Sequence, residues 1–216
     1  IFGTNPEISS LFQRSVPIGE GDLKLSWYAS AISSIQERGE SSPLESIQLC
    51  MLSTIDTDSI AIEMLASSRE DPGNVRSLLC FKERGGKRKG SNEYQPGYFL
   101  CMDSLTLTNS VARYLLPDPL ADEKFRRCSI ALLVSAFALC HCDFLEVKGA
   151  RADVMLRVVK EIVNDGTKKG LVLNLENAFT GDSKDSLKIV PTLQMLLSEA
   201  HNSILSHPTA RNKESL

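Results

Sequence analysis

The stretch DPLADEKFRRCSIALLVSAFALCHC, residues 118–142, decides how the rest of the chain is read. Asp118 is a helix N-cap type followed by proline, which loses nothing at a first helical position because its missing N–H has no partner there anyway. Asp122 and Glu123 follow where the positive end of a helix dipole favours acids. Lys124, Arg126 and Arg127 mark the first turns as exposed, but from Ile130 to Cys142 there is no polar face. A helix that is apolar all round is a buried one. The sequence therefore predicts a central helix over 118–142 with the other elements packed around it.

Toward the C-terminus, residues 152–163 place Val154, Met155, Val158, Val159, Ile162 and Val163 on one helical face and Arg151, Arg157, Lys160 and Glu161 on the other, with Gly166 as the stop. Leu171-Val172-Leu173 fits a strand or a helical turn equally well. A last helix is expected from near Pro191, carrying Leu193, Leu196, Leu197, Ala200 and Ile204, and residues 206–216 read as a polar tail.

Toward the N-terminus, Asp103 or Ser104 caps a helix through Leu105, Val111, Tyr114 and Leu115 that Pro117 stops. Residues 75–82 favour a helix, and the alternative is a β-hairpin over 75–102 with the glycine-rich loop 85–97 at its tip. Ser42-Pro43-Leu44-Glu45 is a capping box, so a helix is expected there with Leu44, Ile47, Met51 and Leu52 facing inward. Asp56-Thr57-Asp58 caps the next, which carries Ile60, Met64 and Leu65. Shorter helices are predicted at 7–14 and 22–39. The fold class expected is all-α or predominantly α: an irregular bundle of about eight or nine helices in a single domain over 1–205, with a tail at 206–216.

The composition, 42% hydrophobic and 24% charged, is that of a folded chain. Its net charge of −3 is unevenly spread. Residues 1–71 hold 11 acids and 4 bases, whereas residues 72–127 hold 6 acids and 10 bases. Complementary surfaces of this kind favour head-to-tail association between copies. The six cysteines lie mostly in apolar runs such as Leu49-Cys50-Met51 and Leu79-Cys80-Phe81, where a free thiol behaves as a small hydrophobe. With no N-x-Ser/Thr acceptor and no signal-peptide pattern, an intracellular location, cytoplasmic or nuclear, is expected. The longest apolar stretch falls short of the ~20 residues of a membrane-spanning helix.

Three histidines leave little room for acid–base or metal chemistry. Cys140-His141-Cys142 cannot chelate one ion while helical, because neighbours two apart point about 200° from each other. Gly85 and Gly90 have phosphate-loop spacing, but Ser91 stands where the lysine is needed. Asp56/Asp58 and Asp182/Asp185 are explained by caps and turns. No catalytic residue, metal ligand or cofactor is implied. What remains is a basic segment, Lys82, Arg84, Lys87, Arg88 and Lys89, with Tyr94 and Tyr98 beyond it. The function expected is a non-catalytic binding or assembly module, a scaffold acting through protein–protein interaction and self-association. The alternative is a nucleic-acid-associated protein, for example a helical viral nucleocapsid or matrix component, using that basic loop on phosphates and its tyrosines on bases.

Overall fold

In the computed structural model, which describes residues 32, 49–54, 57–68, 76–82, 86–87, 90, 93–95, 97, 99–118, 120–141, 152–178 and 185–206, the chain is mostly helical with a small amount of sheet. Six α-helices are present among the described residues; of the eight or nine expected for the whole chain, two segments are strands and two others lie outside the described residues. The helices expected at 7–14 and 22–39, the capping box at 42–45 and the tail beyond Ser206 lie outside the described residues, apart from helical Ile32. Two compact units divide the chain, residues 1–108 and 109–216.

In the first unit, β1 (Leu49–Thr54) runs into α1 (Thr57–Ser67) and then β2 (Arg76–Lys82), which pairs parallel to β1. Parallel neighbours require a crossover connection, and α1 supplies it. β5 (Phe99–Asp103) pairs antiparallel on the other side of β2, giving the order β1-β2-β5. Met51 and Leu52 lie in a strand and not in the helix expected from Ser42, and residues 76–82 form a strand and not a helix, so the hairpin alternative is the one adopted. The physical reason is the central position of β2, where Ser77, Leu79 and Cys80 are all buried. A strand covered on both faces has no reason to alternate, and its continuous apolar run carries no period of two.

Asp103 ends β5 and caps α2 (Ser104–Leu115), its Oδ1 accepting from the Thr106 backbone N–H at 2.8 Å, as the sequence anticipates. Thr108 donates its hydroxyl to the Ser104 carbonyl, and Ser104 shares a hydrogen bond with Ser67 of α1.

The second unit is built on α3 (Glu123–His141). The helix starts later than Asp118. The Asp118 carboxylate accepts from the Leu120 backbone N–H at 2.9 Å and its carbonyl from Ala121, which makes a turn, and the first helical bond runs from Arg126 N–H to the Asp122 carbonyl. Asp118 therefore uses its side chain for a local turn and Asp122 takes the N-cap position. Cys128, Ser129, Ile130, Ala131, Leu132 and Leu133 are consecutive and all buried. At about 100° per residue they sweep the whole circumference, so this segment is packed on every side. Ser129 and Ser135 tolerate the setting by donating to the carbonyls four residues back, Phe125 and Ala131. Burial weakens toward the end of the helix, where Ala138 is exposed.

α4 (Ala152–Asn164) packs against α3 and buries the six apolar residues that the sequence stripe names. Asp165 then caps a 3-10 turn, Gly166–Lys168, which leads into the short α5 (Lys169–Leu173), so Leu171-Val172-Leu173 is helical. α6 (Val190–Ser206) follows a 3-10 turn at Asp185–Ile189, and Thr192 in its first turn donates to the Leu171 carbonyl of α5. Leu196 and Ala200 face inward, while Val190, Leu197 and, before them, Leu187 are exposed. Asn164 fastens the end of α4 to the end of α2. Its side-chain amide donates to the Leu115 carbonyl at 2.9 Å and to the Lys160 carbonyl at 2.7 Å. Asn164→Ala should cost about 1 kcal/mol in urea unfolding, the usual worth of such a bond. No change in the midpoint would mean the tie contributes nothing.

Candidate functional site

Two residues of the basic segment are in strands: Lys82 ends β2 of the three-stranded sheet, and Lys87 lies in a separate two-stranded sheet. β1 stops opposite Phe81, so beyond that point no third strand accompanies β2 and β5 among the described residues. Two further short strands, β3 (Gly86–Lys87) and β4 (Tyr94–Gln95), pair antiparallel, Gly86 with Gln95 and Lys87 with Tyr94. From the Lys82–Phe99 pair to the Gly86–Gln95 pair the sequence advances by four positions on each side. The segment 82–99, which carries this two-stranded sheet, is the arm. Gly90 sits near its tip at φ 86°, a left-handed conformation that side chains other than glycine rarely take. Gly86, Gly90, Glu93 and Gly97 are all exposed.

Of the residues singled out by sequence, Lys82 ends β2, Lys87 is in β3, and Tyr94 is in β4 directly across from Lys87. Arg84, Arg88, Lys89 and Tyr98 lie outside the described residues. Directly opposed positions in an antiparallel ladder are each other's nearest cross-strand neighbours, and Lys87 and Tyr94 hold such positions. Composition flags both residues, but their pairing depends on the strand register.

At the root of the arm the register opposes Cys80 to Cys101. Their sulfurs are 3.1 Å apart and share a hydrogen bond. Cys80 is buried and Cys101 exposed. The Cys80 thiol is pushed up, first by its hydrogen bond with Cys101 and then by burial. Reading every cysteine as a small hydrophobe misses this pair, and only the knowledge that 76–82 and 99–103 are paired strands would reveal it.

The other charged clusters hold the second unit together. Arg127 and Glu176 form an ion pair at 3.2 Å, and Glu176 also accepts from the buried Cys128 thiol at 3.6 Å. Lys168 binds Glu199 at 2.6 Å and Asp165 at 3.3 Å. Asp165 is held below the usual carboxylate range chiefly by hydrogen bonds from Thr167. His141 is the last residue of α3 and His201 is exposed on α6; Cys142 and His207 lie outside the described residues. Among the described residues no group of three or more His, Cys, Asp or Glu side chains has the arrangement to hold a metal ion, and no helix is long and apolar enough to cross a membrane. Compared with known proteins, the chain matches no family model, no curated protein and no solved structure.

Proposed function

We propose that this protein is a non-catalytic binding and assembly module whose contact element is the basic arm, and that its partner is a complementary acidic protein surface, in the first instance a second copy of the chain. The observation that carries the reading is the two-stranded sheet between β2 and β5, separate from the three-stranded one, with Lys82 where the third strand ends and Lys87 in β3. A two-stranded ribbon with no sheet beside it is marginally stable alone and gains most by pairing with a partner. The charge distribution supports the choice of partner, since residues 1–71 are strongly acidic and the arm segment 82–89 holds five bases and one acid.

Sedimentation of the full chain across protein concentration tests it. Mass should rise with concentration at low salt, fall back at about 0.5 M salt, where the Debye length is only a few ångströms, and stay monomeric when Lys87, Arg88 and Lys89 are changed together to Ala. A protein that is monomeric at every concentration at low salt would overturn the assembly reading.

A second reading is favoured by the opposition of Lys87 and Tyr94 in the ladder: lysine is a residue type that contacts phosphate and tyrosine one that stacks on an unpaired base, the two kinds of contact used on single-stranded nucleic acid. Its affinity for an oligonucleotide should then fall steeply with salt, and the triple Ala variant should flatten the logarithmic slope by about 2, given ~0.7 per phosphate contact on single strands. Salt-independent or absent binding would exclude it.

A further inference from the structure

We propose that Cys80 and Cys101 are a reversible dithiol–disulfide pair that closes across the root of the arm, with low-molecular-weight disulfides of the glutathione type as the oxidant. The inference holds whichever partner the arm engages. It rests on three observations. The two residues are directly opposed in an antiparallel ladder, their sulfurs lie 3.1 Å apart, and one thiol is exposed while the other is buried.

The ladder geometry allows the bond. Opposed residues in an antiparallel pair have Cα atoms ~4.5–5.5 Å apart, inside the ~4.4–6.8 Å range of disulfides. It also makes the bond easy to reverse. Opposed Cβ atoms normally stand ~4.5–5.5 Å apart against ~3.8 Å in a disulfide, so closure draws β2 and β5 together. Bonds under such tension have the more oxidising potentials typical of labile disulfides.

The difference in exposure fixes the order of events. Cys101 is the thiol that an external disulfide reaches. Its thiolate attacks one sulfur of oxidised glutathione, giving a Cys101–glutathione mixed disulfide and releasing one glutathione thiolate. Cys80, shielded from solvent but adjacent, then attacks the Cys101 sulfur and releases the second. The two protein thiols are oxidised by two electrons, oxidised glutathione is reduced to two glutathiones, and the two protein protons leave on them. The raised Cys80 pKa is consistent with its acting second. The closed bond encircles the whole arm, since its 21-residue span runs out along β2 and returns along β5.

The test equilibrates the native full chain in glutathione buffers of graded oxidised-to-reduced ratio, then quenches with acid, alkylates, and maps peptides by mass. The expected result is an intramolecular Cys80–Cys101 peptide, with loss of both alkylatable thiols, reversed by excess reduced glutathione. Cys80→Ser should arrest the reaction at a Cys101–glutathione adduct. Because Cys80 is buried, that variant is paired with Cys101→Ser at the exposed position, which should leave Cys80 unmodified in the folded protein. Accumulation of the Cys101 adduct in the unaltered protein, a linkage between two chains, or a Cys80–Cys101 bond that forms only after denaturation would each overturn the proposal.

Discussion

Leu132→Ala will lower the unfolding free energy by about 3 kcal/mol, whereas Leu120→Ala, in the turn that precedes the same helix, will change it by less than about 0.5 kcal/mol. The two leucines differ only in surroundings: Leu132 is 0% exposed and Leu120 is 89% exposed. Truncation at Leu132 removes about three methylene-sized groups from contact at ~0.8 kcal/mol each and leaves a cavity. The neighbours cannot close over it cheaply, because the residues on either side along α3 are buried too. Urea unfolding followed by helical circular dichroism measures both, with the loss read as a midpoint shift at constant slope. A cost below about 1 kcal/mol at Leu132 would mean that α3 is not packed on all sides, and the reading of 128–133 as the centre of the second unit would fall.

The second large effect is a dependence on alkaline pH that traces to Cys128. Burial, the nearby Glu176 carboxylate and the hydrogen bond to it push this thiol up to about 12 from an ordinary 9.0, with Lys124 and Arg127 opposing only in part. The native state therefore keeps the proton at pH values where the unfolded chain has released it. The stability contributed by this group is complete below about pH 9 and is lost as pH rises toward 12, at up to ~1.4 kcal/mol per pH unit. Other groups titrate in the same range, so the measurement is a difference. The fall in unfolding free energy between about pH 9.5 and about pH 11 should be shallower in Cys128→Ala than in the unaltered protein by roughly that amount per unit. Equal slopes would show that the thiol titrates normally in the folded state.

What the sequence made legible and what it hid follow from the range of the interactions involved. The stripe of α4 was readable because a helix with one wet face repeats its apolar residues at three- and four-residue steps. The Asp103 cap was readable because the bond it makes reaches only three residues. The start of α3 was not, because an aspartate before proline is equally suited to capping a helix and to closing a turn, and both use the same carboxylate and nearby backbone N–H groups. β1 and β2 escaped for another reason. Each is a short apolar run, Leu-Cys-Met-Leu and Leu-Leu-Cys-Phe, and a run of that length reads equally as a strand or as a turn or two of buried helix until its partner is known. The basic residues of the candidate site stood out by composition alone. The opposition of Lys87 to Tyr94 and of Cys80 to Cys101 did not, since both depend on pairing between residues far apart in sequence.

The matched spacing of the arm, four positions on each side between the Lys82–Phe99 and Gly86–Gln95 pairs, also limits how this segment can change in length. Adding or removing one residue on one side only would slip every pair beyond it and turn that strand's side chains to the opposite face. Changes made on both sides in equal number preserve the pairing, so the arm can lengthen or shorten only by matched additions or deletions. Its reach is therefore quantised, in increments of about 3.4 Å for each matched pair, and the tip can be moved nearer to or farther from the sheet without altering the residues paired at its root.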